Sequence, residues 1–268
     1  MVPVILYRGE ADKDEWYAIT KHFPFQTKRY RTDCKNNLVV GRYSVLPFYK
    51  ELEEELVYSG SKLINSYRQH KWIADFQYYE QLKDYTFETW NIEELPYIKY
   101  NGPFILKGRT NSRKFDWNRL MYAKDKQEAA LVGSELYRDS LIGQQGIIVR
   151  KYEKLKTLEI AANNLPFTNE WRFFFLGNTL ISYGYYWSVL YNEKAIPPIE
   201  QKCIDLAKEI ANIAKDYANF FVLDIAQKET EEWVLVEVND GQMSGLCMID
   251  YYDFYGNLKK ELDKNWTD

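Results

Sequence analysis

Asp224, Glu237 and Asn239 are the residues whose types and spacing best suit chemistry. In the run Trp233-Val234-Leu235-Val236-Glu237-Val238-Asn239-Asp240-Gly241, strand alternation puts Val234, Val236 and Val238 on one face. Trp233, Leu235, Glu237 and Asn239 fall on the other. The preceding apolar run, Phe220-Phe221-Val222-Leu223-Asp224-Ile225-Ala226, is broken by a single acid. The polar stretch 227–232 joins the two runs as a hairpin, and a turn centred between Thr230 and Glu231 sets Asp224 opposite Glu237. An acid on so apolar a strand demands a partner, because an unpaired buried carboxylate is costly. Two carboxylates and an amide oxygen facing one spot form a hard-oxygen set of the kind Mg²⁺ takes, with phosphate oxygens and waters completing its shell. Read from spacing alone, the same residues also fit a hairpin with two acids at a wet edge, repelling one another when no cation is near.

Cations stand at two earlier points. The strand Phe104-Ile105-Leu106-Lys107 ends on a lysine, and Gly108-Arg109-Thr110-Asn111-Ser112-Arg113-Lys114 follows it, small, polar and basic. This is either a phosphate cradle or a basic surface turn, and it lacks the Walker A pattern. Arg172, in the otherwise aromatic run Glu170-Trp171-Arg172-Phe173-Phe174-Phe175-Leu176, needs an anion, either Glu170 or a ligand phosphate. Arg8, just after the first strand, is a further cation that a surface role would also explain. With His22 and His70 alone, a histidine triad or zinc cluster has little material. Cys34, Cys203 and Cys247 have neither metal nor redox spacing, and their odd number argues against a disulfide framework.

The elements that must position these groups read as follows. Val2–Tyr7 and 38–43 are strands, 46–58 is a helix, 62–82 is helical in part, and 85–90 is a strand. This is the alternation of a small α/β unit. Leu95-Pro96 and Asn101-Gly102-Pro103 mark a boundary, dividing the chain into 1–100 and 101–268. Asp125 caps a helix running to about Tyr137, with Glu128 placed for a capping box. A strand at 147–152 follows. Gly177-Asn178 joins Glu170–Leu176 to Thr179–Tyr185 as a two-residue hairpin. Pro197-Pro198 opens a helix whose core stripe is Ile199, Cys203, Leu206, Ile210, Ile213, Ala214 and Tyr217. Leu258–Leu262 belongs to a closing helix.

Composition bounds the function classes. Over 268 residues, 46% hydrophobic and 28% charged content marks a folded protein, not a disordered one. A net charge of −4 and a pI near 5.5 argue against a general nucleic-acid binder, although 17% aromatics keep base stacking as a lesser alternative. No apolar run approaches the ~18–20 residues needed to span a bilayer, and the N-terminus is wrongly flanked for a signal peptide. A reducing, cytoplasmic setting is expected.

Taken in order, these pieces resemble the ATP-grasp family, and within it the clade named for a characteristic arginine and two lysines. The resemblance runs from about Phe104 to Met248 and is most specific at Glu237-Val238-Asn239-Asp240-Gly241 with Asp224. It implies an α+β fold, two α+β subdomains sandwiching ATP behind a small α/β N-terminal subdomain. It implies that Lys107 contacts the α and β phosphates, with Lys114 and Arg109 or Arg113 covering the rest. Backbone groups at Arg150, Lys151 and Tyr152 would take the adenine and Glu153 the ribose. Arg172 would face the transferring phosphate, and Asp224, Glu237 and Asn239 would hold Mg²⁺. Only Gly108 stands where many relatives carry a glycine-rich phosphate loop. The implied reaction joins a small-molecule, peptide or protein carboxylate to an amine through an acyl phosphate, releasing ADP and phosphate. It needs Lys107, Lys114 and Arg172 for charge and no enzyme nucleophile. A kinase, a nucleic-acid end-joining or nucleotidyl-transfer enzyme and a non-catalytic nucleotide-binding module are the alternatives.

Overall fold

The computed structural model describes residues 1–7, 12–161, 163–187 and 196–266, so Arg8 lies outside the described residues. The chain opens with a parallel sheet of β1 (Val2–Tyr7), β2 (Thr27–Lys28), β3 (Asn37–Arg42) and β4 (Lys62–Leu63), in the order β2-β1-β3-β4. Helices α1 (Lys13–His22) and α2 (Tyr49–Tyr58) make its crossovers, and the short helices α3 (Tyr67–Ala74) and α4 (Tyr79–Leu82) follow. The expected helical stretch 62–82 is thus a strand and two helices.

A second, antiparallel sheet contains β5 (Thr89–Asn91), β6 (Phe104–Gly108), β7 (Tyr122–Ala123) and β8 (Ile147–Lys151), in the order β5-β8-β6-β7. The expected strand 85–90 is the short β5, which precedes residue 100 yet pairs with β8. Between β6 and β8 lie α5 (Trp117–Leu120) and α6 (Lys126–Arg138). Asp125 caps α6 by accepting from Glu128 N at 2.9 Å, while Glu128 reaches back to Lys124 N, one residue short of a capping box.

After the hairpin β9 (Thr157–Ile160) and β10 (Pro166–Thr168) comes the third sheet. It comprises β11 (Glu170–Leu176), β12 (Thr179–Tyr185), β13 (Phe220–Gln227) and β14 (Trp233–Asp240), in the order β12-β11-β13-β14. Gly177 makes the β11–β12 turn with φ of +59°, a conformation glycine adopts without strain. Helices α7 (Gln201–Ala214) and α8 (Tyr251–Asn265) complete the chain.

Alternation in the third sheet builds both core and site. Trp171, Phe173 and Phe175 with Phe221, Leu223 and Ile225 pack on α7 and on Trp72 and Leu82 of α3 and α4. Phe174, Leu176, Phe220 and Val222 face the other way, onto α8 and the N-terminal sheet. Continuing along that second face, the same period brings Glu170, Arg172 and Asp224 beyond the edge of the core. The second sheet follows the same rule. Phe104, Leu106, Ile147 and Val149 bury against α6, leaving Ile105, Lys107 and Arg150 on the opposite face.

β14 departs from regular alternation. Gln227 pairs with Trp233, Ala226 with Val234 and Ile225 with Leu235, but Asp224 then pairs with Glu237 across a register shift. Val236 is the extra residue of a bulge. Without it Val236 would sit opposite Asp224. The bulge also explains why Leu235 and Val238, three residues apart, enter one core. The Asp224–Glu237 pairing therefore holds, while the expected sharing of a face by Leu235, Glu237 and Asn239 does not.

The N-terminal sheet is tied to the segment after β14 by Arg42, at the end of β3. Its guanidinium donates to Gly241 O at 2.7 Å and Ser244 O at 2.9 Å, to Tyr255 Oη at 3.1 Å, and to Glu15 Oε1 at 3.0 Å. Arg42 is buried, so removing its charge leaves the Gly241 and Ser244 carbonyls without this donor and Glu15 without its cation. Arg42→Met is expected to lower the unfolding free energy by about 3–5 kcal/mol. Urea denaturation at neutral pH measures this, and a loss under about 1 kcal/mol would show that the network contributes no more than a surface pair.

Candidate active site

The charged faces of the second and third sheets look at each other across a cleft of about 920 Å³, counting the part open to solvent. Lys107, Lys114, Arg150, Glu170, Tyr186 and Glu237 line it. Two ion pairs dominate the site, one on the cleft wall and one buried beside it. Lys107 Nζ, from β6, pairs with Glu237 Oε1, from β14, bridging the two sheets. Arg172 grips Asp224 in a bidentate fork, Nε to Oδ1 at 2.8 Å and Nη2 to Oδ2 at 2.7 Å, as their direct pairing in the β11–β13 register requires. Asn239 Nδ2 donates to Asp224 Oδ2 at 3.1 Å, and Arg172 Nη1 donates to Gly245 O at 2.9 Å. Burial pushes the Glu237 carboxyl up, but Lys107, Arg150 and Asn239 together outweigh it and hold it below the usual carboxylate range.

The structure thus brings Asp224, Glu237 and Asn239 together, each acid already neutralised by a cation. The expected repulsion between two acids is quenched by Lys107 and Arg172. Arg172's partner is Asp224, not Glu170, because the two lie cross-strand while Glu170 is displaced two residues along β11. Among the described residues, no three or more His, Cys, Asp or Glu side chains gather to hold a metal ion by themselves. Asp224 and Glu237 supply carboxylate oxygens that suit Mg²⁺ once phosphate oxygens complete its shell.

The basic loop divides. Lys114 and Ser112 line the cleft. Arg113 turns to Asp139 at 2.5 Å, and Arg109 to Asn91 Oδ1 at 3.1 Å, so neither arginine lines the cleft as expected. Each is drawn off by a polar partner outside it. At the exit of β8, the N–H groups of Lys151 and Tyr152 are taken by Glu88 O and Pro103 O at 2.8 and 3.0 Å. Those two donors are spent in the sheet and are not free to read a base. Glu153 does line the cleft, but pairs with Lys228 at 2.6 Å. Arg150 enters by its side chain: Nη1 donates to Val236 O at 2.7 Å, and Nη2 is buried with no hydrogen-bond partner among the described residues. An orphaned cationic donor on the cleft wall fits an anionic ligand.

Sequence reasoning underrated Glu170. It is buried on the cleft wall, where its carboxyl accepts from the Thr168 hydroxyl at 3.0 Å. Burial, then the Asp224 charge, raise its pKa from 4.5 to about 7, against the opposing pull of Lys114, Thr168 and Arg172. The fold therefore keeps a proton that the unfolded chain releases near 4.5, and stability falls as pH rises from there to about 7. A shift of this size corresponds to about 3 kcal/mol. Glu170→Gln is expected to match the wild type near pH 4.5 and to be the more stable protein at pH 8. Thermal melts across that range test this, and parallel curves would contradict it.

Comparison with known proteins agrees with this architecture. An ATP-grasp domain model, family 3 of the clade named for one arginine and two lysines, matches residues 94–258. No curated protein matches the sequence. Among solved structures, a RimK domain protein ATP-grasp from Sphaerobacter thermophilus is 14% identical, with 97% of this chain and 98% of that one covered and a TM-score of 0.55. The ATP-grasp ligase PsnB, solved with a minimal precursor, is 11% identical over 98% of this chain and 99% of its own, TM-score 0.57. N5-carboxyaminoimidazole synthase from Aspergillus clavatus, solved with ADP, is 12% identical over 96% and 76%, TM-score 0.61. Those likenesses concern the fold, whereas the family match spans most of the second and third sheets and the charged cleft between them. The chain belongs to the ATP-grasp family, in its arginine-and-two-lysines clade.

Proposed function

We propose that the protein is an ATP- and Mg²⁺-dependent ligase that joins a carboxylate to an amine through an acyl phosphate, releasing ADP and phosphate. The observation that carries this reading is a pair of adjacent ion pairs, Lys107–Glu237 on the cleft wall and Arg172–Asp224 buried beside it through the Asp224–Glu237 strand pairing. A triphosphate with its metal can exchange with both at once. Bound Mg²⁺ would be held by Glu237, Asp224 and Asn239, which would leave Lys107 and Arg172 to phosphate oxygens.

Each side chain has a role in this scheme. Lys107 and Lys114 neutralise phosphate charge, and the planar fork of Arg172 suits the transferring group. Arg150 Nη2 supplies a further donor. Bound Mg²⁺ would neutralise charge on the phosphates during transfer. Holding anions together is the main task of such a site, which is why no side-chain nucleophile is needed. The shared fold with the ATP-grasp ligase PsnB supports a ligase reading for the present chain.

With ATP, Mg²⁺ and pooled carboxylates and amines, ADP and phosphate are expected in step with a new amide. Release of AMP would contradict the reading. Glu237→Gln is expected to abolish turnover. Without nucleotide it should also melt below the wild type, by about 3–5 kcal/mol of stability, since Lys107 is left unpaired. A folded variant with wild-type activity would remove Glu237 from the site.

A further inference from the structure

Tyr186 directly follows β12, and its side chain is set into the cleft wall between two cations. Both stand near its ring, and Lys114 alone also reaches its hydroxyl. The Arg172 guanidinium stands over the ring, 4.8 Å from its centroid. Lys114 Nζ instead meets the phenol oxygen at 2.7 Å, with its distance to the centroid 4.6 Å. Arg172 is already neutralised by Asp224. Among the described residues, Lys114 has no carboxylate at ion-pair distance, so the Tyr186 hydroxyl and the nearby Trp187 ring, 5.1 Å away, are what fix it.

We infer that Tyr186 is the positioning residue for both cations, its hydroxyl holding the Lys114 ammonium and its ring face holding the Arg172 guanidinium. A long lysine on a loop otherwise samples many rotamers, and one hydrogen bond at its end removes most of that freedom. The aromatic face attracts the guanidinium without cancelling its charge. Burial pushes the phenol well above its usual pKa of 10, so it remains a neutral acceptor for Lys114 at physiological pH. The anion itself is taken from the nucleotide-binding reading above, on which this part of the inference rests.

Because only Lys114 reaches the hydroxyl, two substitutions separate the contacts. Tyr186→Phe keeps the ring and removes the oxygen, and Tyr186→Leu removes both. In the nucleotide-free protein, amine acylation read by mass spectrometry should label Lys114 several-fold faster in Tyr186→Phe than in wild type. Unchanged labelling would overturn the inference, whether or not the protein binds ATP. Failure of the wild type to bind ATP would instead overturn the proposed function. With nucleotide, Tyr186→Phe and Lys114→Met should each weaken affinity by roughly ten- to a hundredfold, the scale of one hydrogen bond to a charged group. The double variant should be no weaker than Lys114→Met alone, since a shared contact is lost only once. Full additivity, which a merely structural role for Tyr186 predicts, would overturn the link. Tyr186→Leu should lower turnover beyond Tyr186→Phe, and equal turnover would overturn the Arg172 half.

Discussion

Charges taken out of water must be neutralised, and that requirement governs this cleft. Lys107, Arg172, Asp224 and Glu237 are all largely withdrawn from water. Each would be costly there alone, and each has found an opposite charge. The Lys107–Glu237 pair has a second consequence, because its partners belong to different sheets. It joins the two walls of the cleft directly, so any ligand that separates the pair must offer both a negative and a positive group in return. A metal–triphosphate has that composition.

Support for the pairs comes from the rest of the chain. Asp240, immediately after Asn239, accepts from Asn65 Nδ2 and lies 3.1 Å from His70 Nδ1. Gln242 accepts from Gly41 N at 3.0 Å and donates to Tyr49 Oη at 2.6 Å. Arg42 holds the carbonyls of Gly241 and Ser244, and the next carbonyl, Gly245 O, accepts from Arg172. The segment after β14 is therefore fixed on one side by the N-terminal sheet and presents its other side to the charged cleft. This gives residues 1–100 a physical part in the site, although their sequence carries no recognisable chemical motif.

Legibility from sequence followed the range of the interactions. Local signals were readable: the Gly177-Asn178 turn, the apolar stripe of α7, and the order of lysine, arginine and acids that resembles the family. The pairing of Asp224 with Glu237 was also reached, yet from a regular alternation that the bulge at Val236 breaks. One inserted residue and a turn shifted by half a step compensate, and neither leaves a mark in composition. Partners across sheets were not readable. Nothing near Arg172 in sequence distinguishes Asp224 from Glu170 as its anion, and nothing near Arg109 or Arg113 shows that Asn91 and Asp139 draw them away. Arg42 and Tyr186 were missed for the same reason, since each matters through residues distant in the chain or on another element.

If the ion pairs give way to a nucleotide and its metal together, ATP affinity must depend on the metal. Titration calorimetry with ATP, in excess Mg²⁺ and again in EDTA, measures that dependence directly. Binding is expected to weaken in EDTA by roughly tenfold or more, ~1.4 kcal/mol, because Asp224 and Glu237 would then face the triphosphate with no cation between them. Equal affinities under the two conditions would mean that these acids share no metal with the nucleotide.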